Sequence, residues 1–267
     1  MNSESSGFPR VAVVIPAAGR GERFGSPKQF QTHLGWSLLR WALEPFLGLG
    51  DSLVAMAVAL PPGETARGLE DLAGHPRLHT CTGGASRQES VRLGLKLIAG
   101  ELRPDDVVLV HDAARPLLSG VDLRRIAELI ARTGAGALLA VPVRDTLKRA
   151  GGNGLVEETV PRSGLYQAQT PQGAPAHLLI EAHDRALRAG LHATDDAAVL
   201  EAAGIPVHIV EGDPLNFKIT GETDWKLFTA LARRLSGRDN PSTPSPRLDS
   251  GGSPPNSPSP PGRGGPG

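Results

Sequence analysis

The chain has 267 residues, with 28 basic and 28 acidic side chains and a single cysteine. Balanced charge argues against a nucleic-acid-binding protein, because an excess of basic residues supplies the affinity for a polyanion. One cysteine excludes a disulfide framework, and no apolar run approaches the ~18 residues of a membrane span. The polar N-terminal segment is unlike a signal peptide, so we expect a cytoplasmic protein.

The C-terminal segment differs in composition from the rest of the chain. Residues 238–267 contain nine Pro, six Gly and six Ser among 30 residues. Such a segment cannot bury enough apolar surface to offset the entropy of ordering it, so we predict a disordered tail. Residues 1–9 are predicted to be a flexible N-terminus. Residues 10–237 are long enough to form one domain with a sizeable core.

Within residues 10–237, apolar β-branched runs alternate with segments of helical spacing. In chain order, the pattern predicts strands at 11–15, 53–60, 107–110, 137–143 and 207–210, and helices at 34–46, 86–98, 122–132, 178–189, 195–203 and 223–235. This alternation is typical of the α/β class, a mainly parallel sheet with helices on both faces. Such sheets bind ligands beyond the carboxyl ends of their strands. We therefore expect the functional site in the loops after residues 15, 60, 110 and 143.

The first of these loops combines glycines with cations. Gly19 and Gly21 allow backbone N–H groups to approach a phosphate, and Arg23 and Lys28 would stabilise the charge of a reacting nucleoside triphosphate. The loop is not a dinucleotide fingerprint because Phe24 occupies the third glycine position, and it lacks the Gly-Lys-Ser/Thr of a Walker loop. The alternative is an ordinary glycine-rich turn with surface charges.

The next two loops also allow a purely structural interpretation. Ser86, after a Gly-Gly turn, forms a predicted capping box with Glu89. Asp112 follows a buried strand and is the type of carboxylate that coordinates Mg²⁺ or orients a substrate hydroxyl. The alternative for Asp112 is a local ion pair with Arg115 that closes a turn.

Two later segments complete the pattern. Two short strand-like pieces around the Gly/Asn turn at 151–154 predict a hairpin within about residues 143–170. On the residues alone, Arg162 in this hairpin is best interpreted as a solvated charge. Thr194 and Asp195 are adequately explained as the start of a capped helix.

Together these motifs resemble nucleotidyltransferases with a GT-A-like Rossmann fold. The resemblance rests on Pro16-Ala17-Ala18-Gly19-x-Gly21-x-Arg23 with Pro27-Lys28-Gln29, on His111-Asp112-Ala113-Ala114-Arg115-Pro116 and on Asn216-x-Lys218-x-Thr220. More narrowly, the chain is similar to the 2-C-methyl-D-erythritol 4-phosphate cytidylyltransferase family of the non-mevalonate isoprenoid pathway. The similarity covers nearly all of residues 10–235.

The resemblance implies transfer of CMP from CTP to 2-C-methyl-D-erythritol 4-phosphate, with release of pyrophosphate. It implies catalytic roles for Arg23, Lys28, Arg162 and Lys218, and substrate contacts at Ala17, Ala18, Gly19, Gly21, Gly83, Gly84, Ser90, Asp112, Ala113, Arg115, Thr146, Thr170 and Thr194. It also implies Mg²⁺ or another divalent cation, bound through the CTP phosphates with Asp112 as a ligand. The hairpin would be an arm exchanged between the subunits of a homodimer, so that Thr146 and Arg162 reach the partner's site.

Three alternatives to this function differ in what they would require. A ribitol 5-phosphate cytidylyltransferase shares the fold and the CTP loops, and differs in polyol contacts that one sequence does not resolve. An NAD-dependent oxidoreductase is disfavoured by the broken glycine spacing. A non-catalytic nucleotide-binding regulator would be expected to lose Lys28, Arg162 or Lys218, and all three are present. We also expect a monofunctional protein, because nothing after Leu235 resembles the cyclodiphosphate synthase domain fused to some relatives.

Overall fold

The computed structural model describes residues 7–19, 27–64 and 66–235. The predicted phosphate-loop residues Gly21 and Arg23, and the predicted tail at 238–267, lie outside the described residues, as do positions 1–6 of the predicted flexible N-terminus. No helix in the described part of the chain is both long and apolar enough to cross a lipid bilayer.

The described residues contain eleven strands, seven of which form one central sheet. The strands are β1 (Val11–Pro16), β2 (Thr32–His33), β3 (Trp36–Ser37), β4 (Leu53–Leu60), β5 (Leu78–Thr82), β6 (Val107–Val110), β7 (Gly136–Pro142), β8 (Leu147–Ala150), β9 (Val156–Val160), β10 (Tyr166–Pro175) and β11 (Val207–Glu211). The order in the central sheet is β11-β7-β10-β6-β1-β4-β5, and only β10 runs antiparallel to its neighbours. The predicted α/β class with a mainly parallel sheet is confirmed.

Two strands of the central sheet were missed by the sequence pattern, for different reasons. β5 is an edge strand whose residues are mostly half-buried, so it lacks a continuous apolar run. β10 contains Pro171 and Gly173, residues that ordinarily argue against a central strand. Its pairing with β7 shifts register between Ala168 and Gln172, which accommodates that interruption.

The described residues form six α-helices, and four of them start at a side-chain cap. They are α1 (Leu38–Leu47), α2 (Arg87–Ile98), α3 (Gly120–Thr133), α4 (Ala176–Arg188), α5 (Asp196–Ala202) and α6 (Glu222–Leu235). Ser37, Ser86, Ser119 and Asp195 each cap a helix by accepting a backbone N–H from the residue three positions on.

The first predicted helix begins four residues too early. Leu34 and Gly35, both at positive φ, instead form the tight turn between β2 and β3, and residues 36–37 are β3 itself. The apolar spacing extends into this hairpin because Leu34 and Trp36 pack on the same cluster as Trp41 of α1. Periodicity alone therefore could not locate the helix start.

Strand β1 explains why the site lies where it does. Val11, Val13 and Ile15 pack into one core cluster, whereas Ala12 and Val14 pack into the other on the opposite face. A strand buried on both faces has a continuous apolar sequence. Its polar neighbours therefore begin only at its carboxyl end, next to the ends of the parallel strands β4, β5 and β6.

The predicted hairpin is present and stands apart from the central sheet. β8 and β9 pair antiparallel as a separate two-stranded sheet. Leu155 and Val156 at its turn are 67% and 62% exposed, and Tyr166 at the base is 46% exposed. An isolated two-stranded hairpin is only marginally stable in water.

Candidate active site

An open pocket of about 820 Å³ lies at the carboxyl ends of β1, β5 and β6. Ten predicted site residues line it: Ala17, Ala18, Gly19, Lys28, Gly83, Gly84, Ser90, Asp112, Ala113 and Lys218. The wall also includes Pro16, Gln29, Pro62, Ala85, Ser86, Arg87, Ala114 and Thr220. The structure therefore brings together loops that are about 200 residues apart in the sequence.

One wall of the pocket is made by the backbones of two turns. Gly83 N donates to the Leu60 carbonyl oxygen at 2.8 Å, which holds the turn after β5 against the end of β4. A Cβ atom on Gly83 would collide with the Cβ of Ala18, so glycine is required where the two turns meet. The buried Gln29 side chain donates to the Ala17 and Gly19 carbonyl oxygens at 2.8 and 2.9 Å, which fixes the start of the first loop.

The Gly-Gly turn is held by the first residues of α2. Ser90 Oγ accepts from Gly84 N at 3.1 Å and donates to the Ser86 carbonyl oxygen at 2.9 Å. Ser86 Oγ accepts from Glu89 N, as the capping box predicts. The Glu89 carboxylate, however, accepts from Ala85 N at 2.8 Å, one residue before the N-cap. This carboxylate therefore braces the turn that precedes the helix.

The opposite wall is formed around the Asp112 carboxylate. Oδ1 accepts from Arg87 Nε at 3.0 Å, and Oδ2 accepts from Lys218 Nζ at 2.7 Å. The alternative of a local Asp112–Arg115 side-chain pair is wrong. The Arg115 guanidinium instead donates to the carbonyl oxygens of Asn216 and Ala168, and only its backbone N–H donates to the Asp112 carbonyl oxygen.

The charge of Asp112 is maintained by these two cations. Burial by itself would raise the pKa of the carboxyl, but the Arg87 guanidinium and the Lys218 ammonium outweigh burial and hold that pKa well below its usual range. Burial would likewise lower the pKa of Arg87, yet Asp196 and Asp112 together raise it above its ordinary value. Both groups are therefore ionised at neutral pH.

Lys28 and Lys218 are connected through the segment that follows β11. Lys28 Nζ donates to the Ile219 carbonyl oxygen at 2.6 Å, next to Lys218 in the chain. The Asn216 amide donates to the Thr170 carbonyl oxygen at 2.8 Å, and Asp224 accepts from the Thr220 hydroxyl at 2.7 Å. These bonds fix the segment at both ends, so two ammonium groups are held at one pocket.

Five predicted site residues in the described chain do not line the pocket. Arg115 and Thr170 lie behind it, where Thr170 Oγ1 accepts from the backbone N–H of Asp112. Thr194 is exposed, and the N-cap that Asp195 forms is sufficient to explain the conformation of this segment. Thr146 and Arg162 lie on the exposed arm. Substrate contacts at all five positions, like those at the pocket-lining residues, stay predictions.

Comparison with known proteins agrees with this geometry. The model of the 2-C-methyl-D-erythritol 4-phosphate cytidylyltransferase family matches residues 11–234, from the start of β1 to the penultimate residue of α6. The chain belongs to this family. A cytidylyltransferase of that name from Stenotrophomonas maltophilia (strain R551-3) is 44% identical over 229 residues, covering 85% of this chain and 98% of that protein.

Solved structures of other cytidylyltransferases have the same fold. The crystal structure of 2-C-methyl-D-erythritol 4-phosphate cytidylyltransferase from Thermus thermophilus is 41% identical, with a TM-score of 0.69, and covers 84% of this chain and 98% of that chain. The Francisella tularensis enzyme is 32% identical, with a TM-score of 0.72, and covers 82% of this chain and 98% of that chain. The chain is therefore a nucleotidyltransferase.

The donor set that the described residues of this cytidylyltransferase offer does not fit a resident metal ion. Among the pocket-lining residues that the structure describes, Asp112 is the one carboxylate, and each of its oxygens accepts from a cation. No group of three or more His, Cys, Asp or Glu side chains in the described ranges is arranged to hold a metal. A site for Mg²⁺ ordinarily needs one or two carboxylates that are available as ligands, in addition to phosphate oxygens.

Sequence reasoning missed two functional features of the cytidylyltransferase pocket. The sequence pattern around Lys28 does not indicate a role for Gln29, although its side chain is buried and donates to two carbonyl oxygens of the first loop. Arg87 stands next to the predicted N-cap Ser86, and its partners are 25 and 109 residues away. Helical spacing carries no signal for such contacts.

His111 ties the pocket to the strands behind it. Its Nε2–H donates to the Arg115 carbonyl oxygen at 2.9 Å, because a carbonyl can only accept. Its Nδ1 then accepts from the Thr170 hydroxyl at 3.0 Å, and that hydroxyl accepts from Asp112 N. The buried ring is neutral, and burial lowers its pKa from 6.5 to about 4.

We expect His111 to make the cytidylyltransferase acid-sensitive. Its pKa is lower in the folded than in the unfolded state, so its stabilising contribution is complete above pH 6.5 and is lost as the pH falls towards 4. The loss amounts to roughly 3 kcal/mol of unfolding free energy. Urea unfolding at several pH values would measure it, with His111→Gln as the comparison. Parallel pH profiles for the two proteins would contradict this assignment.

Proposed function

We propose that this chain transfers the cytidylyl group of CTP to 2-C-methyl-D-erythritol 4-phosphate and releases pyrophosphate, in the synthesis of isoprenoid precursors. The observation that carries the proposal is the pocket itself. A glycine turn faces the Asp112–Lys218 pair across one cavity, within the segment that matches the family. A backbone wall suits a nucleotide, and paired ammonium groups suit two phosphate-bearing reactants.

The proposed reaction is an in-line displacement at the α-phosphorus of CTP. An oxygen of the substrate phosphate attacks that phosphorus, the bond to the β-phosphate oxygen breaks, and pyrophosphate leaves with the electron pair. The attacking phosphate is already ionised at neutral pH, so no general base is needed. Positioning and charge stabilisation then supply the catalysis.

Each cation has a proposed part in that displacement. Lys28, held against the Ile219 carbonyl oxygen, would stabilise the triphosphate as negative charge develops on the leaving group. Lys218, held by Asp112, would bind the attacking phosphate next to the α-phosphorus. Arg23 lies outside the described residues, and its catalytic role stays a prediction. At the other end of the pocket, the backbone of residues 83–86 would bind the cytosine and ribose.

We propose that a divalent cation enters the pocket with CTP, bound by the phosphate oxygens. The two cations that already occupy Asp112 support this view, because they leave its carboxylate poorly disposed as a primary ligand. The sequence-based expectation that Asp112 binds Mg²⁺ directly is therefore replaced by binding to the nucleotide. The proposed cytoplasmic location rests on the sequence alone.

We also propose that the enzyme is a homodimer whose arms are exchanged. The β8–β9 arm is a separate two-stranded sheet with exposed apolar residues at its turn, a surface that needs a protein partner. Arg162 is exposed and lies near the base of the arm, between β9 and β10, in a turn closed by the bond from Leu165 N to the Arg162 carbonyl oxygen. A guanidinium there suits the phosphate of the second substrate.

A pyrophosphate-release assay tests the proposed function. With CTP and Mg²⁺, we expect turnover with 2-C-methyl-D-erythritol 4-phosphate and much less with ribitol 5-phosphate, and replacing CTP by ATP or UTP should abolish it. An identically purified Lys28→Ala protein controls for contaminating enzymes. Preferred turnover of ribitol 5-phosphate would overturn the substrate, and no CTP-dependent turnover with either polyol phosphate would overturn the activity.

A further inference from the structure

Arg87 connects two buried carboxylates that belong to different parts of the fold. Its Nε donates to Asp112 Oδ1 at 3.0 Å, and its Nη1 donates to Asp196 Oδ2 at 2.8 Å. Asp112 follows β6, whereas Asp196 is the first residue of α5. The side chains of Asp112 and Asp196 are 10% and 1% exposed, so both ion pairs are shielded from solvent screening.

The contacts continue on both sides of Arg87 as one row of polar side chains. Asp196 Oδ1 lies 3.2 Å from Nε2 of the buried His183 on α4, and Asp112 Oδ2 accepts from Lys218 Nζ. The row therefore runs from α4 through α5 and α2 to the Lys218 ammonium in the pocket. His183 and Asp196 do not line the pocket, so an effect of either on the reaction would pass through Arg87.

A purely structural purpose explains this row poorly. Buried ion pairs are costly to desolvate, and apolar side chains of similar volume often stabilise a fold as well or better. What the row does supply is a fixed orientation of the Asp112 carboxylate. The planar guanidinium is a rigid fork with separate N–H groups for the two carboxylates, so it fixes the rotation of the Asp112 carboxylate. That rotation in turn fixes where Oδ2 holds the Lys218 ammonium.

We propose that Arg87 and Asp196 are positioning residues for cytidylyl transfer: Asp196 orients Arg87, Arg87 orients Asp112, and Asp112 holds Lys218 at the reacting phosphates. The inference rests on the proposed function and adds two residues to its machinery. Lysine in place of Arg87 keeps the charge but reaches only one carboxylate at a time. We therefore expect Arg87→Lys to lose part of the activity, although it conserves the charge.

The kinetic test compares Arg87→Lys, Arg87→Gln and Asp196→Asn with the wild-type enzyme. CTP binding by equilibrium dialysis counts the folded sites, and kcat is expressed per CTP-binding site. We expect kcat to fall about tenfold in Arg87→Lys and Asp196→Asn and about a hundredfold in Arg87→Gln, with the Kd for CTP changed by less than about threefold. Unchanged kcat per CTP site in all three would overturn the proposal.

A matched control is available on the other side of the molecule. Arg40 is buried and also bridges two carboxylates, those of Glu44 and Asp71, although both are about half exposed, and it does not line the pocket. Arg40→Lys should lower thermal stability and leave kcat per CTP site unchanged. In a double-mutant cycle, adding Asp196→Asn to the Lys218→Ala protein should lower kcat by less than about twofold, since the effect of Asp196 on the reaction passes through Lys218. Additive losses would contradict the proposed route.

A second measurement does not depend on turnover. The chain has five lysines, so reductive ¹³C-methylation followed by NMR gives few signals, and Lys218→Ala assigns the one for Lys218. We expect this signal to move in Arg87→Lys and Asp196→Asn but not in Arg40→Lys. An unmoved signal would overturn the positioning role even in an active enzyme. If the Lys218 signal moves in these variants but the wild-type protein shows no turnover, the proposed activity is refuted and the positioning of Lys218 by Arg87 and Asp196 still stands.

Discussion

Replacing Lys218 by alanine is expected to lower kcat about a thousandfold, because it removes a fixed positive charge from the reacting phosphates. The ammonium is held 2.7 Å from Asp112 Oδ2 and is partly exposed, so it faces the pocket while its position is fixed. CTP binding should weaken less than about threefold, since the proposed partner of Lys218 is the attacking phosphate. Steady-state kinetics and equilibrium dialysis would separate these two effects.

The controls for this prediction follow from the surroundings of Lys218. Asp112 keeps its contact with Arg87 in the variant, so the thermal midpoint should change little. Lys226→Ala removes an exposed lysine of α6 that pairs with Glu222 at 3.0 Å, a surface contact of little energetic value. Its kcat should equal that of the wild type. A Lys218→Ala enzyme within twofold of wild-type kcat would remove Lys218 from the mechanism.

The location of the site could be predicted from the sequence because it depends on local patterns. β1 is buried on both faces, so its apolar run ends where the pocket begins. The Gly-Gly turn at residues 83–84 is visible as a motif of its own, although the strand β5 before it was missed. The capping residues Ser86 and Asp195 were likewise visible in short motifs, and both cap their helices as expected.

The contacts inside the site could not be predicted in the same way. Lys218 meets Asp112 across 106 residues, and Arg87 meets Asp196 across 109, so no spacing rule connects them. The strand β10 was missed because it passes from the exposed arm into the buried sheet and carries no uniform pattern. Yet β10 supplies Thr170, which fixes the backbone of Asp112. Long-range packing, rather than local propensity, therefore sets the chemistry of the pocket.

Mixing two inactive variants is expected to restore activity if the arms are exchanged. We expect Arg162→Ala to lower kcat/KM for the polyol phosphate by about a hundredfold or more, because it removes a proposed paired contact with a phosphate. Arg162 lies on the exposed arm outside the pocket of its own chain. Its effect therefore requires that the arm reach another subunit.

The mixed dimer makes this requirement measurable. When an Arg162→Ala chain pairs with a Lys218→Ala chain, exchanged arms place both substitutions in one site and neither in the other. Refolding the two variants together at equal concentrations should give random pairing, half of the dimers mixed, and about a quarter of wild-type activity. The matched control mixes Lys218→Ala with Lys28→Ala, since both residues lie in the same pocket of one chain and no intact site can form. Recovery in the first mixture and none in the second requires an arm that serves the neighbouring subunit, whereas no recovery in either would show that each arm serves its own chain.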